Sequence, residues 1–121
     1  MPKILIIDDD FTITELIKAI VKMEGYEPTT VNDSLKAMEV ARTVAPDLIT
    51  LDLMMPGLTG FELCKFFRDD PKFDDTPILI VSAKDDPESM ENAFSAGATD
   101  YITKPFTTDD FINRISSLVT A

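Results

Sequence analysis

Two hydrophobic rhythms alternate along this chain. Short unbroken apolar runs occur at Lys3–Ile7 (KILII), Leu48–Leu51 (LITL), Ile78–Val81 (ILIV) and Tyr101–Thr103 (YIT), with a weaker one at Glu27–Val31 (EPTTV). Between them the apolar residues recur every three or four positions, the spacing of one helix face. Ile13, Leu16, Ile17, Ile20 and Val21 make the first such stripe, and Leu35, Met38 and Ala41 a weaker second. Phe61, Cys64 and Phe67, widened by Leu63 and Phe66, make the third, and Met90, Ala93 and Phe94 the fourth. Phe111, Ile112, Ile115, Leu118 and Val119 make the fifth.

Turn chemistry punctuates the same boundaries. Gly25 and Gly97 stand where the first and fourth helices should end, and Pro46, Pro71 and Pro77 fall between elements. Asp10 is placed to cap the first helix, Asp33 the second, and Thr107 or Thr108 the fifth. The pattern predicts strand then helix five times over, an α/β domain with a parallel sheet and helices on both faces. KILII, LITL and ILIV are apolar on both faces, as central parallel strands must be. EPTTV carries a proline and two threonines, which suits an edge. The short, mixed last strand suits the opposite edge. The order 2-1-3-4-5 satisfies these preferences with right-handed crossovers.

Each strong strand run leads into a polar residue: Asp8, Asp9 and Asp10 after the first, Asp52 after the third, Ser82 after the fourth, and Lys104 after the last. Taken singly these read as a helix cap, a turn residue and solvated loop ends. In a parallel sheet, however, they share the carboxyl edge, and ligands bind there at the point where strand order reverses. That point lies between the first and third strands, which supply the acids. Two like charges about 4 Å apart repel by roughly 4 kcal/mol at an effective dielectric of 20. Lys104 offsets part of this. The remainder calls for a proton on one carboxylate or for a bound cation. Oxygen ligands without His or Cys favour a hard ion such as Mg2+, which keeps positions open for phosphate. Asp52, beside such an ion and an ammonium, would be placed to attack phosphorus and form an acyl phosphate. Pro56 and Gly57 turn the chain away and leave the carboxylate accessible. Met54 would contribute only its backbone carbonyl.

Composition narrows the class. The chain has 121 residues, the size of one domain, 45% of them hydrophobic. Twenty-two acids against 11 bases give a net charge of −11, and the bases are scattered, so this chain is not expected to bind nucleic acid. No apolar run is long enough to span a membrane, and the opening MPKILIIDDD lacks the makeup of a signal peptide; a cytoplasmic location is the expectation. The lone Cys64 lies between Phe61 and Phe67 and is expected in the core.

The segments ILIIDDD, DLITLDLMMPGLTGFEL, PILIVSA and GATDYITKPF, in this order and spacing, resemble the receiver domain of two-component response regulators, of the chemotaxis-regulator type, over the whole chain, residues 1–121. The resemblance implies a flavodoxin-like (βα)5 fold with the same strand order. It implies that Asp52 is the phosphoacceptor, that Asp9 binds Mg2+ directly and Asp8 through water, and that Met54 lends its carbonyl. Ser82 would be the switch hydroxyl, Tyr101 the aromatic partner that turns inward with it, and Lys104 the phosphate-binding lysine, with a cis bond to Pro105. Met54 and Lys84, two residues after Asp52 and Ser82, would tune the phosphoryl lifetime. The expected donor is a sensor histidine kinase or histidine phosphotransfer protein. The expected output is a shift of the helix 4–strand 5–helix 5 surface toward a downstream partner or a fused effector domain. Such a domain is a signalling switch rather than an enzyme acting on other substrates.

Two other classes share parts of this pattern. A haloacid-dehalogenase-like phosphohydrolase needs a second acid two residues after its nucleophile, where this chain has Met54. A flavodoxin-like electron carrier needs a phosphate-cradling Ser, Thr and Gly loop where this chain has three aspartates. The predicted fourth helix carries Glu88 and Glu91 without Lys or Arg, and the fifth only Arg114, which argues for a monomer or weak dimer. The last residues, Val119 to Ala121, resemble neither a linker nor an elaborated tail, and both a stand-alone regulator and the first part of a longer one stay open.

Overall fold

The computed structural model describes residues 1–120, so the reading of residue 121 lies outside the described residues. The elements run β1 (Lys3–Ile7), α1 (Phe11–Met23), β2 (Glu27–Val31), α2 (Ala37–Val44), β3 (Leu48–Leu51), α3 (Gly60–Asp69), β4 (Ile78–Ser82), α4 (Pro87–Ser95), β5 (Asp100–Thr103) and α5 (Thr108–Thr120). Single 3-10 turns at Ser34–Lys36 and Pro71–Phe73 precede α2 and β4. All strand pairs are parallel, in the order β2-β1-β3-β4-β5.

Strand alternation divides the core in two. Leu5, Ile7, Ile49, Leu51, Ile78 and Ile80 face one side, with Ala37 and Ala41 of α2, Leu63, Cys64 and Phe67 of α3, and Ala93 of α4. Ile4, Ile6, Leu48, Leu79, Val81 and Ile102 face the other, with Ile17, Ile20 and Val21 of α1 and Phe111 and Ile115 of α5. Full burial of such a side chain contributes about 1.5–3 kcal/mol relative to exposure. The sheet is thus covered on both faces. β2 has only one neighbour, so the missing N–H of Pro28 costs little at that edge. Cys64 is buried as expected, and burial pushes its thiol up to about 11.

Several local expectations shift by a residue or a turn. Ser82 belongs to β4, because it pairs with Thr103 and its carbonyl accepts the Lys104 N–H at 2.8 Å. Asp100 opens β5, paired with Leu79. The Asp33 carboxylate caps the 3-10 turn, accepting from Leu35 N–H at 3.0 Å, rather than α2 itself. Leu35 therefore leaves the helical stripe and is exposed. Leu16, Phe66 and Phe94 lie at the flanks of their stripes and are also exposed, while Thr14 takes a buried place on α1. Asp10 caps α1 through Thr12 and Ile13, and Thr107 caps α5 by accepting from Asp110 N–H at 3.1 Å.

Candidate functional site

The carboxyl edge of the sheet gathers the polar residues. Asp8 follows β1 and Asp52 follows β3, strands paired through Ile7 and Leu51. Asp52 N–H donates to Ile7 carbonyl at 3.0 Å, so the first residue after β3 stays in register with the end of β1. A carboxylate oxygen from each of Asp8, Asp9 and Asp52 lies within 4.8 Å of the others. Asp8 and Asp52 are buried, and Asp9 is exposed.

Side-chain alternation explains how Lys104 reaches them. In β5, Ile102 faces the α1/α5 side, and two residues on Lys104 continues that parity. Asp8 follows Ile4 and Ile6 in the same parity, and Asp52 follows Leu48 and Thr50. The Lys104 Nζ donates to Asp8 Oδ2 at 2.8 Å and stands 3.7 Å from Asp52 Oδ1. Asp8 Oδ1 accepts the Asp10 N–H at 2.9 Å, so both oxygens of Asp8 are engaged. The peptide bond from Lys104 to Pro105 is cis.

Asp52 carries the electrostatic tension of the site. Burial, then the neighbouring Asp8 charge, pushes its carboxyl up to about 6, against Lys104 and the N–H groups of Met54 and Leu53. The metal-free site thus keeps a proton on Asp52 up to a higher pH than an ordinary carboxylate, and a cation would relieve the same repulsion. The donor set is all oxygen, and the chain contains no histidine. This chemistry fits a hard divalent ion such as Mg2+.

The opposite parity carries a second group. Ser82 and Tyr101 lie toward the α2–α4 side with Ile80. Ser82 is fully buried, and its Oγ accepts the Lys84 N–H at 3.2 Å. The Tyr101 hydroxyl donates to the Lys84 carbonyl at 2.7 Å, with its ring turned inward against Phe94. Burial raises the Tyr101 pKa, the Ser82 hydroxyl partly offsets this, and nearby Asp86, Asp52 and Asp85 raise it further. The phenol is therefore held neutral as a donor. Lys84 is half-buried, whereas Met54 is exposed at the rim.

Five residues that the sequence pattern does not single out also build the site. Gly60 opens α3 against the Asp52 backbone; a Cβ there would collide with the Asp52 carbonyl oxygen and lie 2.7 Å from Leu53 Cα. Thr59 and Glu62 form a capping box that fixes this helix start. Asn32 and Ser34, beyond β2, bond to the loops after β1 and β3. In the sequence they look like ordinary turn residues after an edge strand. Only a glycine two residues beyond a Pro-Gly-Leu turn signals Gly60.

Comparison with known proteins follows the same outline. The family model for the response regulator receiver domain matches residues 4–116. The DNA-binding dual master transcriptional regulator RpaA of Synechocystis sp. is 39% identical over 119 residues, which is 98% of this chain and 49% of that protein. The chain therefore spans about half the length of that relative. Chemotaxis protein CheY4 of Vibrio cholerae superposes with a TM-score of 0.93 at 30% identity, covering 98% of each chain. The receiver domain of sensor histidine kinase PA1611 from Pseudomonas aeruginosa PAO1, described with a magnesium ion in its active-site cleft, gives 0.91 at 26% identity. That likeness covers 99% of this chain and 98% of the other. With strand order, acid cluster and family match in agreement, this chain belongs to the response regulator receiver domain family.

Proposed function

We propose that the domain is a phosphorylation-driven switch whose phosphoacceptor is Asp52. The observation that carries this reading is the placement of Asp52: buried, strained toward protonation, and within reach of two further acids and Lys104. The donor is a phosphohistidine on a sensor kinase or phosphotransfer protein. An Asp52 carboxylate oxygen forms the new O–P bond as the N–P bond breaks, and the electron pair leaves with the imidazole, which takes up a proton from solvent. Asp8, Asp9, Asp52 and the Met54 carbonyl would hold Mg2+, Asp9 directly and Asp8 through water. When bound, the ion supplies charge neutralisation at the phosphoryl oxygens.

Lys104 stands ready to exchange part of its Asp8 contact for the phosphoryl group. Ser82 carries a hydroxyl that donates to a phosphoryl oxygen once it rotates. Phosphorylation adds a charge of about −1.5 to −2. Drawing in Ser82 would disturb its bond from Lys84 N–H, and the Lys84 carbonyl is the acceptor of Tyr101. This gives a physical route from Asp52 to the face of α4, β5 and α5, whose population of states then shifts. Met54 and Lys84 set the lifetime of the acyl phosphate. The product of this chemistry is a conformation, read by a downstream protein or by a fused effector domain. The acidic chain itself is not the part that contacts DNA in such an arrangement, and it acts in the cytoplasm as a monomer or weak dimer.

Incubation with acetyl phosphate and Mg2+, followed by intact mass spectrometry, tests the assignment. The expected result is a gain of one phosphoryl group, lost in Asp52→Asn and on chelation. Equal labelling of the variant overturns the assignment. Sustained release of phosphate at many turnovers per minute would favour the phosphohydrolase class instead.

A further inference from the structure

We infer that the connection between β2 and α2 is a positioning strut for the acid site, acting through Asn32 and Ser34 on the two loops that carry its ligands. The inference rests on the function proposed above and extends it to residues that touch neither metal nor phosphate. β2 is an edge strand and supplies no group to the chemistry. Its register nevertheless sets Val31 beside Ile7, and the Asp8 N–H donates to the Val31 carbonyl at 3.1 Å. The next residue is Asn32.

The Asn32 side-chain amide donates twice, to the Asp8 carbonyl at 2.9 Å and to Thr14 Oγ1 at 2.9 Å. Thr14 in turn donates to the Phe11 carbonyl at 3.0 Å. Asp8 opens the loop after β1, and Thr14 lies in the first turn of α1. One amide therefore ties together both ends of the segment that presents Asp9. The Asp9 carboxylate itself is exposed, with no hydrogen bond or ion pair among the described residues, so its position depends on its anchored neighbours. Ser34 does the equivalent for the loop after β3. Its buried hydroxyl donates to the Pro56 carbonyl at 2.7 Å and accepts the Leu58 N–H at 2.9 Å. A Cβ on Gly57 would come within 2.9 Å of that oxygen, which measures how closely the two segments approach. This turn begins two residues after Met54.

Clustered carboxylates repel, so an untethered pair of loops would spread apart in the metal-free state. Closing them again on metal binding would cost ordering entropy. Groups that orient ligands from behind typically change metal affinity about 10- to 100-fold when removed. Asn32 is solvent-exposed and belongs to neither core cluster, so its loss leaves the packing intact.

The test is isothermal titration of the wild type, Asn32→Ala, Ser34→Ala, Asp9→Asn and Ile115→Val with MgCl2, each alongside a thermal melt without metal. Ile115 is buried against the sheet on the α1/α5 side, in the core of the opposite face from Ser34, so its truncation is a control for general destabilisation. Asn32→Ala is expected to weaken Mg2+ binding about 10-fold while Ile115→Val leaves it unchanged. Ser34→Ala, read the same way, reports on the second loop. If the wild type binds Mg2+ and Asp9→Asn loses it, but Asn32→Ala and Ser34→Ala both stay within twofold of Ile115→Val, the strut is overturned and the acid site stands. If the wild type fails to bind, or Asp9→Asn binds as well, the acid-site reading falls and the strut with it.

Discussion

Replacing Asp52 with asparagine should make the metal-free domain more stable, even as it removes the proposed chemistry. Burial and the Asp8 charge move the Asp52 carboxyl from its ordinary 3.8 to about 6. Its folded-state pKa is raised, so the folded state binds the proton more tightly than the unfolded chain does. Between these two values stability falls as pH rises, and above pH 6 the full penalty applies. At 1.36 kcal/mol per pKa unit the penalty is about 3 kcal/mol. Asparagine is nearly isosteric and uncharged, and the shift to about 6 is already net of the attraction of Lys104 at 3.7 Å. A net gain of about 1–3 kcal/mol is therefore expected at pH 7.5, falling to roughly half at pH 5. Urea denaturation followed by far-UV circular dichroism, with EDTA present, measures both. At 10 mM, Mg2+ with a millimolar dissociation constant adds about 1.4 kcal/mol to the wild type and little to the variant. A variant no more stable than the wild type at pH 7.5, or an advantage that fails to shrink at pH 5, refutes the account of Asp52 as an electrostatically strained group.

Three further outcomes follow from the same geometry. Lys104→Met removes the cation 2.8 Å from Asp8 and should push the Asp52 carboxyl above its present value, seen by NMR titration of the Asp52 side chain; an unchanged midpoint refutes the coupling. Gly60→Ala should cost about 2 kcal/mol or more, because the methyl group meets the backbone of Asp52 and Leu53; a urea midpoint equal to wild type would show that the α3 start gives way freely. Met54→Asn should shorten the acyl-phosphate lifetime, since a polar group at this exposed rim orders an attacking water; equal or slower decay of the phosphorylated variant removes Met54 from that role.

The sequence by itself carried the element order, because helix and strand periods and turn residues are local properties. The polarity of EPTTV against KILII and LITL was enough to separate edge from centre, since burial on two faces demands apolar residues on both. It also placed Asp8, Asp9, Asp52, Ser82 and Lys104 at one edge, because parallel strands all end on the same side. Spacing alone puts Leu35, Leu16, Phe66 and Phe94 on helical stripes, but Leu35 lies in a 3-10 turn and the other three at the flanks, and all four are exposed.

Only the tertiary structure decided which polar groups meet. Lys104 joins Asp8 and Asp52 on one parity, while Ser82 turns to Lys84 and Tyr101 on the other. Burial of Asp52, the approach of Gly60 to its carbonyl, and the reach of Asn32 and Ser34 across to other loops were likewise invisible in the sequence. These are contacts between residues far apart in the chain, set by sheet register and loop geometry, and the hydrophobic pattern that chooses the fold is indifferent to them.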